Sequence, residues 1–302
     1  MTNYDKLFVQ NLNDILANGS EYLSRAVWEE TGEQAKCIKL FGVVNRYNTD
    51  YENEAPIGTI RKFPIKNCID ELLWIWQKKS NNINDLKSHV WDSWADENGS
   101  IGAAYGFQVR SKLRKVSHTD KIYKNESTDQ YVYTVKQLYL DQTDFVIHEL
   151  KYNMDSRRII TDLYSVDQTG LMGLDPCCYS CTWNVTYKDG EPYLNLLLNQ
   201  RSQDMIVANN WNVFQYWILQ NMFANECGMN VGELVHVIAD AHIYDKHIPI
   251  AQHLIEISTQ TNQFPIPKVN IPKKSFYDYD IDDFVLENYN FVENIKNIPV
   301  AV

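Results

Sequence analysis

No stretch of this 302-residue chain is apolar for the ~20 residues that a membrane-spanning helix needs, which excludes a helical membrane protein. The start, Met1 to Lys6, has neither a basic n-region nor a small-residue cleavage pattern, so a cytoplasmic protein is expected. Proline and glycine are few, 9 and 12, and nowhere gather into a linker. Internal repeats, low-complexity tracts and heptad runs are also missing, and a single domain over residues 1–302 is expected. Basic residues are the scarcer charge, 28 against 39 acidic, and the net charge of −11 argues against a nucleic-acid backbone binder. The one modest basic run, Arg110 to Lys115, is expected to be a solvated helix face. The six cysteines include no second pair to match Cys178-x-x-Cys181. On a strand from Cys177 to Val185, positions three apart face opposite sides, so a shared metal or bridge is not expected. His242 and His247 do not form an HExxH pattern, and no metal is expected.

What the chain does contain is periodic. Asp5 to Ala17 places Leu7, Phe8, Leu12, Ile15 and Leu16 at helical spacing and meets a stop at Gly19. Cys37 to Tyr47 has strand character, and Ile69 to Gln77 reads as a helix. A variable excursion runs from about 115 to 140, with β character at Tyr131 to Val135 and a turn at Lys124 to Asp129. The second half alternates more clearly. It runs through a helix over Phe145–Lys151, a strand near Ile159–Tyr164, strands Cys177–Val185 and Tyr193–Asn199 around a turn at Lys188–Gly190, and a long helix ending before Gly228. That helix is apolar nearly all round, hence buried, with Asn212 expected as its N-cap.

The densest group of reactive side chains is Asp175-Pro176-Cys177-Cys178, followed by Gln200-Arg201-Ser202-Gln203-Asp204 and Asn212. A thiol attacks as thiolate, and at an ordinary pKa of ~8.5 little of it is ionised near neutrality, so a reactive cysteine needs positive charge nearby. Arg157, Arg158 and Arg201 are candidates to supply it. The same guanidinium forks would also grip a phosphate, which points to nucleotide chemistry.

The order and spacing of Arg157-Arg158-Ile159-Ile160, Pro176-Cys177, Gln200-Arg201-Ser202-x-Asp204, Asn212, His242-Ile243-Tyr244 and the terminal Pro299-Val300-Ala301-Val302 resemble folate-dependent thymidylate synthase. Glu71-Leu72-Leu73-Trp74, the run Trp91 to Gly99 and Tyr105-Gly106 resemble the family's N-terminal half. Departures are Asp-Pro-Cys-Cys for Pro-Pro-Cys-His, Ala208-Asn209-Asn210-Trp211-Asn212 for Gly-Val/Leu-Pro-Phe-Asn, and Arg25 outside an Arg-Thr-Gly-Thr context. The Gln-Arg-Ser-x-Asp-Met-x-Val-Ala form is similar to a divergent branch found in bacilli and their phages.

The resemblance implies an α/β (α+β) fold with a mixed, predominantly antiparallel twisted sheet packed by helices. It implies reductive methylation of dUMP to dTMP, with 5,10-methylenetetrahydrofolate as co-substrate and dihydrofolate released. Cys177 would add to C6 of the uracil ring, turning C5 into a nucleophile. Glu71 would act as acid and base through water near O4, and Tyr105 would assist loss of the C5 proton. Arg25, Arg201 and Ser202 would hold the 5′-phosphate, joined by Arg157 and Arg158 from the second subunit of a homodimer. Asn212 would read the pyrimidine edge, and His242 and Tyr244 the 3′-hydroxyl. Trp91, Trp94, Asp204 and the Val302 carboxylate would lie on the folate side, with Asp204 close to dUMP as well. Two alternatives remain open. One is a pyrimidine deoxynucleotide hydroxymethylase on the same scaffold; the other is a noncatalytic nucleotide- or RNA-binding relative, which the acidic charge and the joint presence of Cys177, Glu71 and Asn212 disfavour.

Overall fold

Thr2 accepts a hydrogen bond from the Asp5 backbone N–H at 3.0 Å and so caps helix α1 (Asn3–Asn18), which turns Phe8, Leu12 and Ile15 inward. The computed structural model describes the backbone of residues 1–302 and every side chain except those of Lys121 and Tyr123. After α1 come strands β1 (Ser20–Val27) and β2 (Gln34–Tyr47) and helices α2 (Ile65–Trp76) and α3 (Gly106–Ser111). Strands β3 (Arg114–Asn125) and β4 (Gln130–Leu140), helix α4 (Gln142–Tyr152) and strands β5 (Ile160–Asp162), β6 (Cys178–Lys188), β7 (Glu191–Gln200) and β8 (Gln203–Asp204) follow. Helix α5 (Asn209–Cys227), strand β9 (Asn230–Tyr244), helix α6 (Ile248–Ile257) and the short strands β10 (Lys268–Asn270) and β11 (Val285–Glu287) complete the chain.

Seven strands make one sheet in the order β1-β2-β9-β7-β6-β5, with β8 on β9. Neighbours run antiparallel except β7 with β9 and β8 with β9. This is the mixed, predominantly antiparallel α/β arrangement expected from the sequence. Strand β9 alternates buried Leu234, His236 and Ile238 with half-buried Val235, Val237 and Ala239, so only one face of the sheet is fully covered. Against that face lies α5, whose Val213, Phe214, Trp217, Ile218, Met222 and Phe223 are all buried. Gly228 at φ +68° ends α5, its N–H turning back to the carbonyls of Ala224 and Asn225.

The excursion has the expected β character and turn: it is a two-stranded hairpin, β3 with β4, apart from the main sheet. Three expectations change. The basic run at the base of the hairpin is not a helix face, because α3 stops at Ser111 and the strand begins at Arg114. Its cations are used locally: Arg110 donates to the Lys79 carbonyl, Lys112 to the carbonyls of Asp162 and Tyr164, and Arg114 lies 4.4 Å from the centre of the Phe145 ring. Cys178 and Cys181 do not face opposite ways. Cys178 pairs with Gln200 but Ser180 with Asn199 and Cys181 with Leu198, so one extra residue bulges and both thiols turn into the core. Asn212 is not an N-cap either. Helix α5 starts at Asn209, after the Asp204 carboxylate has accepted the N–H groups of Ile206 and Val207 at 2.8 and 3.0 Å, and Asn212 lies in its first turn.

Phe223 sits between Trp183 and Phe276, with ring centres 4.9 and 4.7 Å away. Phe223→Ala should therefore cost about 3–5 kcal/mol in equilibrium denaturation, and a loss under about 1 kcal/mol would mean that α5 does not anchor the core as described.

Candidate active site

The segment from Trp91 to Tyr105 is pressed onto the loop that precedes β6. Ala103 donates to the Leu171 carbonyl at 2.8 Å and Gly173 to that of Ile101 at 2.9 Å. Gly102 makes the approach possible: it lies at φ +69°, and a Cβ there would come 2.1 Å from the Leu171 oxygen. Tyr105 is forced to φ +43°, a strained conformation for a bulky residue, and its hydroxyl accepts the Cys177 N–H at 3.2 Å.

Cys177 lies immediately before β6, on the wall of a cleft of about 650 Å³. Glu71, Trp91, Trp94, Tyr105, Cys178 and Asn212 share that wall. Arg201 crosses behind the thiol. Its Nε and Nη2 donate to the carbonyls of Pro176 and Asp175 at 3.1 and 2.7 Å, and Nη2 stands 3.9 Å from Cys177 Sγ. Burial raises the Cys177 pKa, Arg201 opposes this, and Asp175 and Asp204 add to the rise, so in the single chain the thiol stays above its ordinary value.

Glu71 projects from α2 into the cleft while nearly fully buried. Burial pushes its carboxyl up to about 7, against the downward pull of Gln215, Trp91 and Trp211; Gln215 donates to it at 3.2 Å, whereas the Trp91 N–H stops short of a hydrogen bond. A carboxyl poised near neutrality suits proton transfer in both directions. Trp91 packs edge-on against Trp94 at 5.5 Å and Tyr105 at 5.0 Å, forming an aromatic wall. Asn212 Oδ1 accepts from Gln200 and Gln203 at 3.1 and 3.3 Å.

Beside this cluster, β8 lies along the end of β9, with Asp204 level with His242. Burial works to raise the Asp204 pKa, but His247, His242 and the Val207 N–H hold it below the usual value. His242 holds Asp240 at 2.9 Å and packs against Tyr244, while Ser202 gives its carbonyl to Gln200. Arg25, Arg157 and Arg158 are exposed and do not line the cleft of their own chain. Val302 is also away from it, in a reciprocal backbone pair with Val27 at 2.8 and 2.9 Å; Ile295, Asn297 and Ile298 of the tail are the part that reaches the cleft. Arg61, Trp211 and Gln215 line the cleft without having been signalled by any local motif. A polar Gln215 inside the apolar α5 pattern was the one available clue. Among the described residues, no three His, Cys, Asp or Glu side chains converge as metal ligands would.

The raised Glu71 pKa has a definite linkage. Because the folded value of about 7 exceeds the ordinary 4.5, its contribution to stability is full below about pH 4.5 and is lost as pH rises through 7. Relative to Glu71→Gln, the wild type should lose about 2–3 kcal/mol between pH 5 and pH 8, and parallel stability profiles would show that the carboxyl is not held protonated.

The family profile described as thymidylate synthase matches residues 6–302. Thymidylate synthase 1 of Bacillus subtilis strain 168 is 38% identical over 297 residues, covering 96% of each chain. The thymidylate synthase of Bacillus phage phi3T is 37% identical with the same coverage. Among solved structures, thermostable thymidylate synthase A from Bacillus subtilis superposes with a TM-score of 0.82 at 36% identity, covering 100% of both chains. With a thiol, a buried carboxyl and the Asn212 amide gathered in one cleft, and likeness along its whole length, this chain belongs to the thymidylate synthase family and is an enzyme of that methyltransferase class.

Proposed function

We propose that this chain converts dUMP to dTMP, taking a one-carbon unit and a hydride from 5,10-methylenetetrahydrofolate and releasing dihydrofolate, as a cytoplasmic homodimer. The observation that carries the reading is Cys177 Sγ at 3.9 Å from Arg201, in a cleft that also holds Glu71 and Asn212. The Cys177 thiolate would form a bond to C6 of the uracil, moving the electron pair of the C5–C6 double bond toward O4 and leaving C5 able to attack the one-carbon unit. Glu71, near its own pKa, would pass a proton to and from O4 through water. Tyr105 would help remove the C5 proton as the folate nitrogen leaves the one-carbon unit, giving an exocyclic methylene; hydride from the tetrahydrofolate would then add to that methylene while Cys177 leaves as thiolate, restoring the ring and releasing dihydrofolate. Asn212 Nδ2 has no protein partner among the described residues and would donate to O4.

Arg201, Ser202 and Arg25 would meet the phosphate, His242 and Tyr244 the sugar. For the folate, the wall of Val90, Trp91, Trp94, Ile295 and Ile298 offers an apolar face suited to a flat ring system. Asp204 would bond to its pterin, and release of the Val302 pair from Val27 would let the tail close over the site and keep water out.

Two observations favour the dimer. On the less covered face of the sheet and its edge, Leu23, Phe41, Val44 and Leu197 stay 56%, 91%, 54% and 37% exposed, a surface that asks for a partner. The Cys177 thiol also lacks enough positive charge within its own chain, while Arg157 and Arg158 are exposed with no acidic partner among the described ion pairs. Arginines delivered across that face would meet both needs.

The direct test is product analysis with dUMP and methylenetetrahydrofolate. dTMP and dihydrofolate should appear in equal amounts, the latter followed by its absorbance near 340 nm; hydroxymethyl-dUMP with tetrahydrofolate would contradict the reading. A second expectation concerns the shared site. Mixing inactive Cys177→Ala with inactive Arg157→Ala/Arg158→Ala subunits should restore activity, because one site of each heterodimer then has both sets intact, and no recovery despite proven subunit exchange would place the arginines elsewhere.

A further inference from the structure

Gln200 takes no part in the chemistry above, yet its side chain is buried and fully engaged at the end of β7. Its Nε2 donates to the Ser202 carbonyl at 2.8 Å and to Asn212 Oδ1 at 3.1 Å, and its Oε1 lies 2.7 Å from His236 Nε2 and 3.2 Å from Cys178 Sγ. A carbonyl can only accept, so Ser202 fixes which end of the Gln200 amide is nitrogen, and His236 must then carry its proton on Nε2. Burial drives the His236 pKa down to about 3, which leaves the ring neutral in every working buffer. Its register neighbour across β2 and β9 is Asn45, whose Nδ2 is a buried donor without an acceptor, the complement of the unpaired His236 Nδ1.

The same logic applies from the other side of Asn212. Gln203 Nε2 donates to the Asp204 carbonyl at 3.0 Å and to Asn212 Oδ1 at 3.3 Å. Two amide nitrogens thus converge on one oxygen. If the Asn212 amide turned over, its own N–H groups would be driven against those of both glutamines, so Nδ2 is kept as the end free to meet a ligand.

We propose that His236 is the positioning residue for base selection: through Gln200 it fixes the Asn212 amide so that Nδ2 donates to O4 of uracil and is opposed by the 4-amino group of cytosine. This rests on the reading that Asn212 meets the base of dUMP. The selectivity is one of repulsion as much as attraction, since a freely turning Asn212 would offer nitrogen to O4 or oxygen to an amino group equally well. The thiol of Cys178 is a weak donor, so the imidazole N–H is the main support on the Gln200 oxygen.

The test compares the KM for dUMP with the Ki of dCMP as a competitor in the whole enzyme. His236→Phe, which removes the donor, should narrow the gap about tenfold, the value of one buried hydrogen bond, chiefly by tightening dCMP. His236→Gln, which returns an amide donor at similar reach, should keep the wild-type gap. A merely structural role would weaken both ligands together. Gln200→Met breaks the same relay without touching the imidazole position and decides the matter if His236→Phe does not fold. A wild-type gap in folded Gln200→Met or His236→Phe overturns the proposal. Asn212→Asp separates the two layers: if it narrows the gap while the relay variants do not, the base reading stands and the relay fails, and if it too leaves the gap unchanged, the base reading itself fails.

Discussion

The guanidinium of Arg201 is the fixed point on which the site depends. Two main-chain carbonyls, of Asp175 and Pro176, hold it in place, and the backbone N–H of Arg201 donates to the Cys177 carbonyl at 2.9 Å. Planar and cationic, it keeps a positive group beside a thiol that burial would otherwise make inert. Burial outweighs Arg201, so a single chain leaves Cys177 above its ordinary pKa. In the proposed dimer, activation of the thiol and assembly of two subunits would be one requirement, with the added charge coming from a second chain.

Around that point the molecule uses burial in two ways. At Glu71 it raises a carboxyl to about 7, where proton exchange costs least. At His236 it lowers an imidazole to about 3, which keeps the ring neutral with Nε2 facing the Gln200 oxygen. The difference lies in partners. Glu71 opens onto the cleft, whereas His236 is enclosed between β2 and β7 with one committed contact.

Much of this was legible in the chain. The period of apolar residues marked α1 and α5, the turn at Lys188–Gly190 marked the β6–β7 hairpin, and the motifs around Cys177, Arg201 and Asn212 brought the reacting groups into one family pattern. The misses share a cause, which is that each depends on a neighbour distant in sequence or on a local irregularity. Asn212 lost its cap position to Asp204, eight residues earlier, whose carboxylate starts the turn. Cys178 and Cys181 share a face because of a bulge that alternation alone does not reveal. Arg61 and Gln215 reach the cleft only once α2, α5 and the loop before α2 are packed together, and the Gln200–His236 contact needs β7 and β9 side by side in parallel. Arg157 and Arg158 carry a motif that meets no part of the cleft in their own chain.

The central claim is that Cys177, and no neighbouring thiol, is the nucleophile. Incubation with 5-fluoro-dUMP and methylenetetrahydrofolate should stop the reaction after C6 addition, because fluorine at C5 cannot leave as a proton does. Denaturation, proteolysis and mass spectrometry should then find both ligands on the peptide spanning Asp175 to Ser180, with fragmentation placing them on Cys177. A stable adduct on Cys178, or none at saturating ligand, would contradict the account.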